Sequence, residues 1–450
     1  MFKTKLVALV FLVSIVNAST PLTLSEALDV LKAENLSIKS ATVKVDTAKL
    51  DIESASGNHW GKLDFIQDYA NSNDAGNVFG FKLTSREATF GDFGFSEFNP
   101  SNPNILTVAP EVLNYPDSRN FFQSKLKYEI PLFTGFKISS YVDIMKSMAK
   151  MEGLKKDKVV NEKVYQLRKS YYDMALLRNS SENLTKILTN IETLQKMTTR
   201  MVEVGYAKKV DLLEVKAKKG NVKRLILQIQ SNQKLLLHFI SFLLNSKVDD
   251  IIVPDSEIAM PLYSDDDILQ NNLDLKRAST GLEIREEMLD VSKSSYYPTV
   301  GAFGEIATAD DSFLGDANDH KAYTVGARLT WNLFNGGIDS IKIEKSKLQH
   351  LETQIDLNKA KQGITLQIAK IRTEIETSDE EIVSLMQELD LANEVYRNYL
   401  GRYREKLSSM NDVIIKQSEQ IEKILQLQAA KNKRNERIFA LEKLANGEQI

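Results

Sequence analysis

The sequence predicts a mostly α-helical fold: long antiparallel coiled-coil helices with a small β part of four strands. Three observations carry that expectation. The first is an internal repeat. Phe133-Thr134-Gly135-Phe136 recurs as Phe334-Asn335-Gly336-Gly337, and Asp211-Leu212-Leu213 as Asp412-Val413-Ile414, both at an offset of 201 (334 − 133; 412 − 211). Asn35-Leu36-Ser37-Ile38-Lys39 recurs as Asn272-Leu273-Asp274-Leu275-Lys276, 272 − 35 = 237 positions on. The second is a pair of very long proline-free runs with apolar residues at three-and-four spacing. The third is a set of short segments that alternate apolar and polar residues.

Residues 1–18 read as a cleaved signal peptide. Lys3 and Lys5 precede the apolar run Leu6–Val16, and Val16-Asn17-Ala18 offers a small-residue cleavage site. No other segment approaches the ~20 apolar residues of a membrane helix. The chain has no Cys, so neither disulfides nor cysteine-based metal or nucleophile chemistry is open to it. A net charge of −3 gives no reason to expect nucleic acid.

The first repeat, 19–254, is expected to hold a helix over 25–56, capped by Thr23 or Ser25 and stopped by Gly57. Strands follow at about 62–83 and 121–133. The long helix 137–204 and the return helix 210–245 complete the unit. The second repeat, 255–450, has a helix at 266–294, strands at about 299–307 and 322–334, a long helix 338–401 and a return helix 411–446. Each long helix would reach roughly 100 Å at ~1.5 Å per residue. Ile364, Ile368, Ile371, Ile375, Ile382 and Leu385 begin a coiled-coil seam in the second one. The copies differ most between their strands, where the first carries an insertion over 84–118. That stretch is rich in Asn, Pro, Phe and Gly and reads as an irregular loop.

Tyr323, Val325, Ala327, Leu329, Trp331 and Leu333 alternate with polar or small residues, and Leu126, Tyr128, Ile130 and Leu132 do the same. Such strands fit either a small soluble β-domain or a membrane barrel with lipid outside and water inside. The signal peptide, the absence of membrane helices and the lack of a core partner favour the barrel. Four strands are too few to close one, since the smallest bacterial barrels have about eight, and open edges in lipid would leave backbone groups unpaired at several kcal/mol each. The strands must therefore close with those of other subunits.

The repeated helix–strand–strand–helix–helix unit resembles the TolC-like outer membrane efflux protein family. So do Phe-Thr-Gly-Phe and Phe-Asn-Gly-Gly after the outbound strands, and the Val-Gly-x5-Asp-Leu-Leu turn at Val204–Leu213. The resemblance covers essentially the whole mature chain. It implies a homotrimer, a twelve-stranded barrel shared among subunits in the outer membrane, and a helical barrel reaching into the periplasm. It also implies a periplasmic adaptor and an inner-membrane transporter as partners, with no enzyme activity and no cofactor. The competing expectation is a soluble periplasmic or secreted coiled-coil scaffold with a small β-domain.

By the same resemblance, Asp211, Tyr403 and Asp412 line a periplasmic aperture. Either aspartate also suits the start of a return helix, where a carboxylate caps free N–H groups. Gly205, Tyr206 and Leu212 are adaptor-contact candidates, and Gly135, Gly336 and Gly337 make the strand-to-helix turns. The chain departs from the family pattern at Ile415, where a second constricting aspartate is expected, and at Ser408, where a latch arginine is expected. The second tip has Glu405-Lys406 in place of Val204-Gly205. His59, His238, His320 and His350 show no metal-ligand spacing, so no metal site is expected.

Overall fold

The computed structural model describes residues 21–254, 258–316 and 318–446; the signal segment lies outside them. The helices in chain order are α1 (Leu24–Glu34), α2 (Leu36–Gly57), α3 (Ala75–Thr84), α4 (Glu111–Asn114) and α5 (Lys137–Glu203). Then come α6 (Lys209–Leu244), α7 (Asp265–Asn271), α8 (Leu273–Lys293), α9 (Ile338–Arg404) and α10 (Met410–Leu444). The strands are β1 (Lys62–Ser72), β2 (Arg119–Phe133), β3 (Thr299–Asp310) and β4 (Lys321–Thr330). The fold is thus mostly helical with one four-stranded sheet, as the sequence predicts. The chain divides into two compact units, one mainly of helices and one holding the sheet.

In the helical unit, residues 1–46, 151–279 and 355–450, the repeat is closely kept. The helices α5 and α9 are each 67 residues long and start 201 positions apart. Both return helices are followed by an asparagine at φ +50°, Asn245 and Asn446. Apolar faces meet in separate clusters. One gathers Leu28, Leu31, Leu167, Tyr171, Ile240 and Leu243 from α1, α5 and α6. A second, nearer the helix ends, joins α5, α6, α9 and α10 through Ile191, Val222, Tyr396, Tyr403, Met410 and Ile424. A third packs Ile371, Ile375 and Phe439 with Ile268 of α7. Burying an aliphatic side chain of this size stabilises by about 1.5–3 kcal/mol, so each cluster holds its stretch of helix locally.

The expected single helices at 25–56 and 266–294 are each two. Asn35 and Asn272 interrupt them, and both are buried. The Asn35 amide donates to Leu243 O at 2.7 Å, while its Oδ1 accepts from the N–H groups of Ser37 and Ile38. Asn272 donates to Leu444 O at 3.0 Å and accepts from the N–H groups of Asp274 and Leu275. One side chain thereby caps the start of a helix and occupies a carbonyl at the end of another. That local alternative outcompetes an uninterrupted helix. Upstream, the boxes Thr23/Glu26 and Ser264/Asp267 cap α1 and α7. They lie 264 − 23 = 241 positions apart, not 237. The difference of four residues is about one helical turn, so the apolar face keeps its phase.

The second unit, residues 47–150 and 280–354, holds the sheet. Its order is β1-β2-β3-β4, every pair antiparallel. The first strand is shorter than expected. It stops at Ser72 because Asp74 caps α3, its carboxylate accepting from Asn77 N–H at 3.0 Å. The last strand ends at Thr330, so residues 331–334 extend beyond the sheet. Between α3 and β2 the insertion is turns, short 3-10 segments and α4, not a featureless loop.

Replacing Asn35 or Asn272 by Ala should lower stability by about 1–3 kcal/mol, since a buried carbonyl and two helix N–H groups lose their partner. Thermal melting followed by circular dichroism measures this. An exposed asparagine such as Asn73 should melt like wild type when replaced.

Candidate functional site

The pleat sorts side chains into two faces. Pairing registers align Phe65, Leu126, Ile306 and Tyr323 in one row across all four strands, and Leu63, Tyr128, Gly304 and Val325 in the next. This apolar face is open: Phe65 is 69% exposed, Tyr323 81% and Val325 77%. The opposite face carries Asp64, Lys127, Glu305 and Thr324 in one row. Lys125 pairs with Glu305 at 3.6 Å there, and the Arg328 guanidinium lies 5.9 Å from the Phe303 ring centroid. Both β1 and β4 pair on one side only. At the sheet's end Gly135 has φ +62°, and a Cβ there would sit 2.7 Å from Ser294 O. The turn into α5 therefore needs glycine twice over, for its backbone and for its space. Gly336 and Gly337 take φ +71° and +80° at the corresponding turn into α9.

The tips between long and return helices have the same backbone, although their sequences differ. In the first, Gly205 N–H donates to Val202 O and Tyr206 N–H to Met201 O, with Gly205 at φ +77°. In the second, Lys406 N–H donates to Tyr403 O and Leu407 N–H to Arg402 O, with Lys406 at φ +66°. The missing Val-Gly pair thus leaves the turn unchanged: Lys406 takes the left-handed conformation at a cost of roughly 1–2 kcal/mol. Its ammonium lies 3.6 Å from the centroid of the exposed Tyr206 ring, which offsets part of that strain. Leu212 is half-buried.

Both aspartates sit at the third helical position, not at the cap. Asp211 Oδ2 accepts from Lys208 N–H at 2.8 Å. Asp412 Oδ2 accepts from Ser409 N–H and Oγ at 3.0 and 2.7 Å, and Ser409 Oγ accepts from Asp412 N–H. The Ser409 hydrogen bonds hold the Asp412 carboxyl below the usual carboxylate range. Tyr403 is buried in the core of the four long helices, and burial pushes its phenol up. Ser408 Oγ donates to Tyr399 O.

Beside the insertion, Phe81 of α3 stacks on Phe121 of β2 with centroids 4.3 Å apart, and Phe79 of α3 meets Phe93 of the insertion edge-on at 4.8 Å. Asp92 takes hydrogen bonds from Lys82 and from Thr89 N–H and Oγ; the Lys82 bond above all lowers its pKa to about 2. Sequence spacing missed one cluster. Glu87, far in the chain from Asp310 and His320, joins them so that the ligand-type atoms of all three lie within 4.8 Å of one another. Arg119 ion-pairs with Glu87, and backbone N–H groups of residues 311 and 316 occupy Asp310.

Residues 266–447 match the family model described as outer membrane efflux protein. The whole fold is similar to solved outer-membrane channels. VceC from Vibrio cholerae has a TM-score of 0.76 at 14% identity, over 94% of this chain and 96% of that one. CmeC from Campylobacter jejuni gives 0.73 at 12%, over 94% and 85%. MtrE from Neisseria gonorrhoeae, in its open state, gives 0.74 at 12%, over 94% and 89%. No curated protein matches. Residues 266–447 thus match the outer membrane efflux protein model, and the chain has the fold of these solved outer-membrane channels.

Gly205→Ala should cost about 1–2 kcal/mol in local stability, from the left-handed backbone alone. A Cβ there meets open space, so hydrogen exchange should quicken at 201–210 while global melting stays unchanged. The insertion has its own pH dependence. A depressed carboxyl stabilises the fold above its unfolded value, near 3.8, and loses that contribution as pH falls towards 2. Pepsin cleavage within 84–118 should rise between pH 4 and 2, and Asp92→Asn should already show the higher susceptibility at pH 4.

Proposed function

We propose that this protein is the outer-membrane exit duct of a tripartite efflux or type I secretion system. It passively conducts substrates delivered by an inner-membrane transporter and a periplasmic adaptor. Three copies share a twelve-stranded barrel in the outer membrane, and their long helices extend into the periplasm. The single observation that carries this reading is the sheet: an uncovered apolar face, a charged opposite face and two unpaired edges. In water that combination exposes a large apolar patch beside edges prone to aggregation. In a closed barrel the apolar face meets lipid, the charged face meets water and no edge remains. The soluble-scaffold alternative needs a cover for that face, which the sheet-bearing unit does not supply.

The transporter selects the cargo, so the duct itself reads little of it. The tips dock the adaptor, with Gly205, Tyr206 and Leu212 at the contact. Asp211 and Asp412 place rings of negative charge at the aperture under threefold symmetry, which favours cations over anions. The capping boxes leave this role intact, because hydrogen bonding keeps the Asp412 carboxylate ionised.

Detergent-purified protein should count three subunits and conduct in planar bilayers. A protein extractable without detergent and silent in bilayers would overturn the duct. Asp412→Ala should raise single-channel conductance or weaken block by divalent cations. Unchanged conductance and block would remove Asp412 from the aperture.

A further inference from the structure

Two exposed stripes, one on α6 and one on α9, make no side-chain hydrogen bond or ion pair with another helix among the described residues. On α6 they are Lys209, Leu213, Lys216, Gly220, Lys223 and Leu227, spaced four and three residues apart, all exposed. On α9 they are Glu376, Glu380, Val383, Gln387, Asp390 and Glu394, with the same spacing and also all exposed. Such spacing is a coiled-coil seam, yet one stripe is basic and the other acidic. On α9 the stripe lies on the side of the helix away from the buried seam of Ile371, Ile375, Leu385, Tyr396 and Tyr403. Among the described residues, the side chains of Lys209, Lys216 and Lys223 make no hydrogen bond or ion pair, and neither do those of Glu376, Glu380 and Asp390. Glu394 pairs only with Arg397 on its own helix.

The stripes also match in level. The Tyr206–Lys406 contact puts the two tips side by side. Lys223 lies 223 − 209 = 14 residues from the start of α6, and Asp390 lies 404 − 390 = 14 residues from the end of α9. The repeat shows what becomes of such a face. The second-copy equivalents of Lys209, Lys216 and Lys223 are Met410, Gln417 and Ile424, all buried. It also supplies the geometry. Within the chain α5 packs on α10: Arg168 with Glu442, Lys443 with Glu162, and Tyr165 and Tyr172 with Phe439. Shifting α5 forward by one repeat gives α9, and shifting α10 back gives α6. No hydrogen bond or ion pair joins α6 to α9 among the described residues, so the transposed contact is left for another copy.

We propose that the basic α6 stripe seats on the acidic α9 stripe of a second copy of this chain, antiparallel, and that this charge-matched seam sets the register between subunits. The contact is heterologous, so each copy keeps one free stripe of each sign until a ring closes. Opposite charges at the seam select this pairing and repel like stripes. The inference rests on the duct reading and adds the surface, polarity and register of assembly.

The chain lacks cysteine, which makes cross-linking clean. Lys223→Cys with Asp390→Cys in one chain should form disulfides between copies under mild oxidation, giving a covalent ladder up to the full ring on denaturing gels. A protein that is trimeric by light scattering but gives no ladder, or only an intrachain disulfide, overturns the seam while leaving the duct standing. Lys216→Glu with Lys223→Glu should raise the concentration for half-assembly about tenfold at low salt. Adding Asp390→Lys and Glu394→Lys should restore it, with helix content by circular dichroism unchanged throughout. Wild-type assembly of the double variant, or no rescue by the four-fold swap, overturns the seam. So does lost adaptor binding with intact assembly, which would assign the stripe to the adaptor. Monomers in every form would instead overturn the duct reading itself.

Discussion

Backbone hydrogen bonding at the two edges of the sheet is the constraint on which the rest depends. An isolated four-stranded sheet ends on β1 and β4 with unpaired N–H and C=O groups, and its open apolar face removes water as their natural partner. Such groups in an apolar medium cost several kcal/mol each. The sheet is therefore a fraction of a structure. Its registers, its single bulge near Pro131 and its sorted faces make sense as part of a closed wall.

The helical unit solves the same kind of problem with side chains. Buried asparagines at 35 and 272 satisfy helix ends on both sides at once, and capping boxes at Thr23, Ser264 and Ser409 do so singly. Apolar clusters then fix each stretch of long helix locally. Gln417 and Tyr396 place one hydrogen bond inside such a cluster, a polar layer of the kind that sets register between helices at some cost in stability.

The duplication gives two similar halves, and their differences carry the information. Equal backbones at the tips conceal unequal chemistry, Gly205 in one and Lys406 in the other. Equal heptad positions on the return helices are buried in one copy and lysine in the other. A repeat conserves geometry because helix lengths and turns must match. It is free to vary the residues that decide which neighbour each face meets.

The sequence by itself determined the helical class, the repeat and the presence of four strands, because periodicity is a local property. Asp211 and Asp412 were legible as helix-start residues for the same reason. Only tertiary structure decided the rest. The breaks at Asn35 and Asn272 depend on carbonyls at 243 and 444, more than a hundred residues away. The short β1 depends on a cap at Asp74 that competes with strand extension. The meeting of Glu87, Asp310 and His320, and of Tyr206 with Lys406, depends on which loops the fold brings together. The two faces of the sheet became decisive once pairing put Phe65, Leu126, Ile306 and Tyr323 in one row. Alternation within a strand states that two faces exist; only the packing, or its lack, shows which of them is left for another surface to cover.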